Sequence, residues 1–75
     1  MTETKTIDAT GLFCPGPIRI LQGISNKLEK GTIVKLLADD PEVLQDVEEW
    51  VAETENTLIS TEDTGSVQTY TVKIG

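Results

Sequence analysis

Ile33-Val34-Lys35-Leu36-Leu37-Ala38-Asp39-Asp40-Pro41 decides how the rest of the chain must be read. Its first six residues form a mostly apolar run of strand length, rich in branched side chains, as a central strand should be. Asp39, Asp40 and Pro41 then supply helix-start chemistry, with an aspartate at the N-cap and proline at the first helical position. Beyond them Val43, Leu44, Val47, Trp50 and Val51 recur at helical spacing. Glutamates crowd the opposite face. A strand feeding an amphipathic helix is therefore the centre of the fold.

Working outward, Thr4 to Asp8 reads as a short strand closed by the Thr10-Gly11 turn signal. From Pro15 onward, Ile18, Leu21, Ile24 and Leu28 recur at three- and four-residue steps, one face of a second amphipathic helix. Lys27 and Lys30 suit its negative pole, and Gly31 can take the left-handed position after its end. On the other side, Thr57 to Thr61 reads as a third strand and Asp63-Thr64-Gly65-Ser66 as a turn. Val67 to Ile74 alternates with period two and puts Tyr70, Val72 and Ile74 on one face. The order is β-α-β-α-β-β over a single domain, residues 1–75. Two helices on one face of a four-stranded sheet make a two-layer α/β sandwich with one core.

Composition narrows the chemistry. The 75 residues include six basic and thirteen acidic ones, a formal charge of -7 that repels a nucleic-acid backbone and an anionic membrane alike. The chain has no histidine, which removes Ser-His, Cys-His and His-metal chemistry, and a single cysteine, which removes internal disulfides and multi-thiolate metal sites. Glu48, Glu49, Glu53 and Glu55 read as a solvated helix face, so no metal is expected. Trp50 and Tyr70 read as core residues. Met1 to Thr10 holds no apolar run that could serve as a signal peptide or membrane span, and an unpaired thiol fits a reducing compartment. The expected setting is cytoplasmic.

The segment with chemistry in it is Gly11-Leu12-Phe13-Cys14-Pro15-Gly16-Pro17. Cys14 falls between a loop and the first helix, at the N-cap if Pro15 takes the first helical position. The partial positive charge and unpaired N–H groups of a helix start favour a thiolate. Pro15 and Pro17 have no N–H, so the local donors reduce to Gly16 and Ile18, and the motif reads as a rigid support for one exposed sulfur. A lone cysteine can equally be an inert core thiol. Its place off the apolar stripe is what keeps the reactive reading level with that one.

Gly11-Leu12-x-Cys14-Pro15-x-Pro17, with Asp8 upstream and Ala38-Asp39-Asp40-Pro41 later, resembles the TusA/SirA-like sulfur-carrier family. The resemblance spans essentially the whole chain. It implies a mixed sheet in the order first, second, fourth, third strand, with the fourth antiparallel to the rest. It also implies a function: Cys14 accepts sulfane sulfur as a persulfide and hands it on, with no cofactor beyond that transient covalent sulfur. The implied partners are a donor such as a cysteine desulfurase or a rhodanese, and an acceptor protein, with the chain itself a monomer.

Pro15, Gly16 and Pro17 would support the thiol. Since parallel first and second strands bring both helix starts to one sheet edge, Asp39 and Asp40 are expected near the Cys14 loop. One of them caps the helix, and the other points outward to dock a basic partner surface. The competing reading is a non-enzymatic interaction or redox-sensing module using the same thiol.

Overall fold

The structure, a computed structural model, describes residues 4–12 and 16–75. Its elements are β1 (Thr4–Asp8), α1 (Gly16–Ser25), β2 (Ile33–Ala38), α2 (Val43–Glu53), β3 (Thr57–Asp63) and β4 (Gln68–Lys73). They form one sheet in the order β1-β2-β4-β3. β1 runs parallel to β2, while β4 is antiparallel to both β2 and β3.

The alternation along β2 explains why it is central. Val34, Leu36 and Ala38 are fully buried, whereas Lys35 between them is exposed. Across the ladder Val34 stands opposite Val72 and Leu36 opposite Tyr70, so two buried rows meet side by side. Ile18 and Leu21 of α1 and Val43, Val47 and Trp50 of α2 close over these rows in one core cluster. Each such aliphatic side chain removed from water contributes about 1.5–3 kcal/mol. Trp50 is 6% exposed and belongs to this packing, as its spacing with Val47 and Val51 requires.

β3 is an edge strand and runs two residues beyond the expected Thr61. Its pairing with β4 shifts between Leu58 and Ser60, leaving Ile59 without a Cα partner and 51% exposed. This bulge resets the alternation: Leu58 faces Val72 and Thr61 faces Tyr70 on the helix side of the sheet.

Two expected helix boundaries are corrected. α1 ends at Ser25, well short of Gly31. The chain leaves it through short three-residue turns, with Lys27 N–H donating to Ile24 O at 2.9 Å and Leu28 N–H to Ser25 O at 3.2 Å. Leu28 still packs against the core, which is why it kept the helical rhythm in sequence. Gly31 does adopt positive φ (94°), but it serves the sheet: its N–H donates to Ile74 O at 2.6 Å, and Ile74 N–H returns to Thr32 O at 2.8 Å.

α2 starts at Val43 with Glu42 at the N-cap, and no side chain caps it there. Asp40 instead closes the turn just before. Its Oδ1 accepts from Glu42 N–H at 3.0 Å and its carbonyl accepts from Val43 N–H at 3.1 Å, with Pro41 inside that turn.

Candidate functional site

Because β1 and β2 are parallel, Asp8 and Ala38 leave the sheet at the same end, and the segments after them meet. Ala9 extends the ladder, donating to Leu37 O at 2.8 Å, and is fully buried. Asp8 then folds the chain back. Its Oδ1 accepts from both Thr10 N–H (3.0 Å) and the Thr10 hydroxyl (2.6 Å), a local turn that aspartate favours. These bonds, the hydroxyl first, hold the Asp8 carboxyl below its ordinary value.

Gly11 follows at φ 85°, a conformation that L side chains rarely adopt. The N–H of Gly11 donates to Asp39 Oδ2 at 2.9 Å. The loop is thus tied to β2 at Leu37 and again at Asp39.

Leu12, whose N–H donates back to Ala9 O at 3.3 Å, and Gly16, the first residue of α1, are the described residues that flank residues 13–15 within the motif. They lie close together: a Cβ placed on Gly16 would come 3.4 Å from the Leu12 Cβ. Leu12 is 39% exposed, one of two large apolar side chains left open to solvent among the described residues. Cys14 and Pro15, the expected nucleophile and its first supporting proline, lie outside the described residues. Pro17 is fully buried, so this proline packs into the core as well as shaping the start of α1.

Of the two aspartates, Asp39 reaches the described start of the loop at Gly11, and the pair divide their work. Asp40 makes the turn into α2, and Asp39 turns one oxygen to the Gly11 amide where the one that does not cap was expected to point outward. Asp39 is exposed. The Asp8–Thr10 turn was not foreseen, although an aspartate two residues before a threonine at a strand end is a readable signal for it.

Glu48, Glu49, Glu53 and Glu55 are exposed, and among the described residues no group of three or more His, Cys, Asp or Glu could hold a metal ion. Nor is any helix among them long and apolar enough to cross a membrane. An open depression lies at the opposite end of the sheet, lined by Trp50, Asn56, Ile74 and Gly75 among others, away from the loop.

A two-layer βαβαββ domain whose lone cysteine lies between the first strand and the first helix is the class these features define. A family model described as "Sulfurtransferase TusA" matches residues 5–74. A protein of Aquifex aeolicus (strain VF5) named "Putative sulfur carrier protein" is 32% identical over 60 residues. That match covers 80% of this chain and 30% of the relative, so the chain spans less than a third of that protein's length. The chain belongs to the sulfurtransferase TusA family.

Proposed function

We propose that this chain is a sulfur carrier in which Cys14 accepts sulfane sulfur from a protein donor and passes it to an acceptor protein. The observation that carries this reading is the family match across residues 5–74, with the chain's single cysteine inside the Gly-Leu-x-Cys-Pro-x-Pro motif. In the loading step the Cys14 thiolate attacks the terminal sulfur of a donor persulfide. A new sulfur–sulfur bond forms to Cys14, the donor's own sulfur–sulfur bond breaks, and the donor leaves as a thiolate. In the second step an acceptor thiolate attacks that terminal sulfur and Cys14 leaves as the thiolate. Sulfane sulfur moves without any net oxidant, and no histidine base is needed.

The surroundings suit such a thiol. Cys14 stands two residues ahead of the first residue of α1, and the first turn of that helix carries no acidic residue. Its positive pole then favours the thiolate. The absence of a second cysteine protects the persulfide from an internal attack that would release sulfide. Gly16 and Pro17 fix the start of the helix, and Asp39 and Asp8 hold the approach to it. The exposed Asp39 also adds negative charge beside the loop, where a basic face of a donor such as a cysteine desulfurase or a rhodanese would dock. A reducing, cytoplasmic compartment fits a working free thiol.

The test is loading with radioactive sulfur from labelled cysteine by a cysteine desulfurase. The wild-type chain should take up label that dithiothreitol removes, and Cys14→Ser should take up none. Label on neither chain, with a desulfurase shown to be active, would leave the interaction or redox-sensing module as the better account.

A further inference from the structure

A slot of about 170 Å³ opens between the start of α2 and the β3–β4 hairpin. It lies at the same end of the sheet as the Cys14 loop, since Gln68 pairs with Ala38 at the C-terminal end of β2. Pro41 and Leu44 line one side, and Glu62, Asp63, Gln68 and Tyr70 line the other. Two polar atoms here are buried and have no hydrogen-bond partner among the described residues: the Tyr70 hydroxyl, on a side chain only 1% exposed, and Gln68 Oε1. Leaving such atoms unsatisfied is costly, so something is expected to meet them.

The electrostatics choose among candidates. Burial, and after it the carboxylates of Asp63 and Asp40, push the Tyr70 phenol above its ordinary value, so it stays neutral and its oxygen can accept a hydrogen bond. An anion would meet the carboxylate of Asp63, which shares a face of the sheet with Tyr70 and Gln68, and be repelled. A neutral amide or water could satisfy the two atoms but gains nothing from the carboxylates. A planar cation with several fixed donors uses both features, and its flat face can rest on an aromatic ring or a proline.

We propose that this slot receives the guanidinium group of an arginine presented by a protein partner. The guanidinium donates to Gln68 Oε1 and to the Tyr70 hydroxyl oxygen, while Asp63 balances its charge. That the partner is a sulfur donor or acceptor rests on the function proposed above; the guanidinium site itself does not depend on Cys14.

The experiment titrates the nitrogen-15-labelled full chain with N-methylguanidinium chloride, with propionamide and sodium acetate as comparators, at constant ionic strength. A fragment of about five heavy atoms should bind with a dissociation constant on the order of millimolar. Saturable shifts at Gln68, Tyr70, Asp63 and Leu44 are expected for the cation alone. Tyr70→Phe, which removes a buried unpaired hydroxyl and so keeps the fold, should weaken binding roughly fivefold.

Propionamide or acetate binding as tightly, scattered unsaturable shifts, or unchanged affinity in Tyr70→Phe would each overturn the proposal. Saturating N-methylguanidinium should also slow loading from the desulfurase, or transfer to the acceptor, at least twofold in the wild type; unchanged rates in both would overturn it. The two readings separate cleanly. Localised guanidinium binding without any sulfur loading supports the slot and contradicts the carrier function. Loading without such binding contradicts the slot alone.

Discussion

Asp39 Oδ2 accepts a hydrogen bond from the backbone N–H of Gly11 at 2.9 Å, across 28 residues of sequence. This bond ties the end of the central strand to the loop that leads into the Gly-Leu-x-Cys-Pro-x-Pro motif. It also means that one side chain has two separable properties, an acceptor for the loop and a charge on the surface.

Substitution at Asp39 separates them. Asp39→Asn keeps an oxygen that can accept from Gly11 but removes the charge, whereas Asp39→Ala removes both. The Gly11 amide should exchange with solvent faster in the alanine variant only, with a stability loss of about 1 kcal/mol. Sulfur loading from a protein donor should slow in both variants and in a salt-dependent way for the wild type. If Asp39→Asn loads at the wild-type rate, the aspartate anchors the loop and has no part in docking.

Asp8 gives the fold a defined acid dependence. Its carboxyl titrates below the ordinary value of 3.8 because it accepts hydrogen bonds from the Thr10 hydroxyl and amide. A carboxyl depressed in the folded state contributes stability that is fully present above its unfolded value and is lost as pH falls through the folded one. The difference in melting temperature between wild type and Asp8→Asn should therefore be present at about pH 6 and shrink below about pH 4. A difference that ignores pH would mean the Asp8 charge contributes nothing to the turn.

Pro17 is buried, so its ring contributes packing as well as geometry. Pro17→Ala removes two methylene groups from the core and loosens the unfolded chain, together about 2 kcal/mol of stability. A shift of the urea midpoint to lower concentration is the expected result. No shift would return the proline to the purely local role that the motif alone suggests.

The thiol itself should titrate below an ordinary cysteine. Alkylation of Cys14 by iodoacetamide, followed against pH, should show a midpoint under ~8.5, the unperturbed value. A midpoint at or above it would remove the helix-pole argument and leave the motif without an activated nucleophile.

Much of this fold could be read from local pattern. Val34, Leu36 and Ala38 alternate around Lys35 as a central strand must, and Val43, Val47 and Trp50 bury the stripe their spacing outlines. The end of α1 could not be read so well. Lys27, Leu28 and Gly31 imitate a helix terminus, yet Gly31 turns where it does to exchange hydrogen bonds with the end of β4, a partner more than forty positions away. That the loop after β1 comes near Asp39 was legible from strand topology alone, while the choice of Asp39 for Gly11 and Asp40 for Glu42 depended on side-chain geometry. The slot at Tyr70 and Gln68 was not legible, because it exists only where β4 passes under the start of α2.

The most direct test of the central claim is the intact mass of the full chain after incubation with a cysteine desulfurase and cysteine. The account predicts a gain of about one sulfur atom, roughly 32 Da, in the wild type and none in Cys14→Ser, with the gain lost when an acceptor thiol is added. A chain that stays unmodified beside an active desulfurase, or a Cys14→Ser chain that gains the same mass, would contradict it.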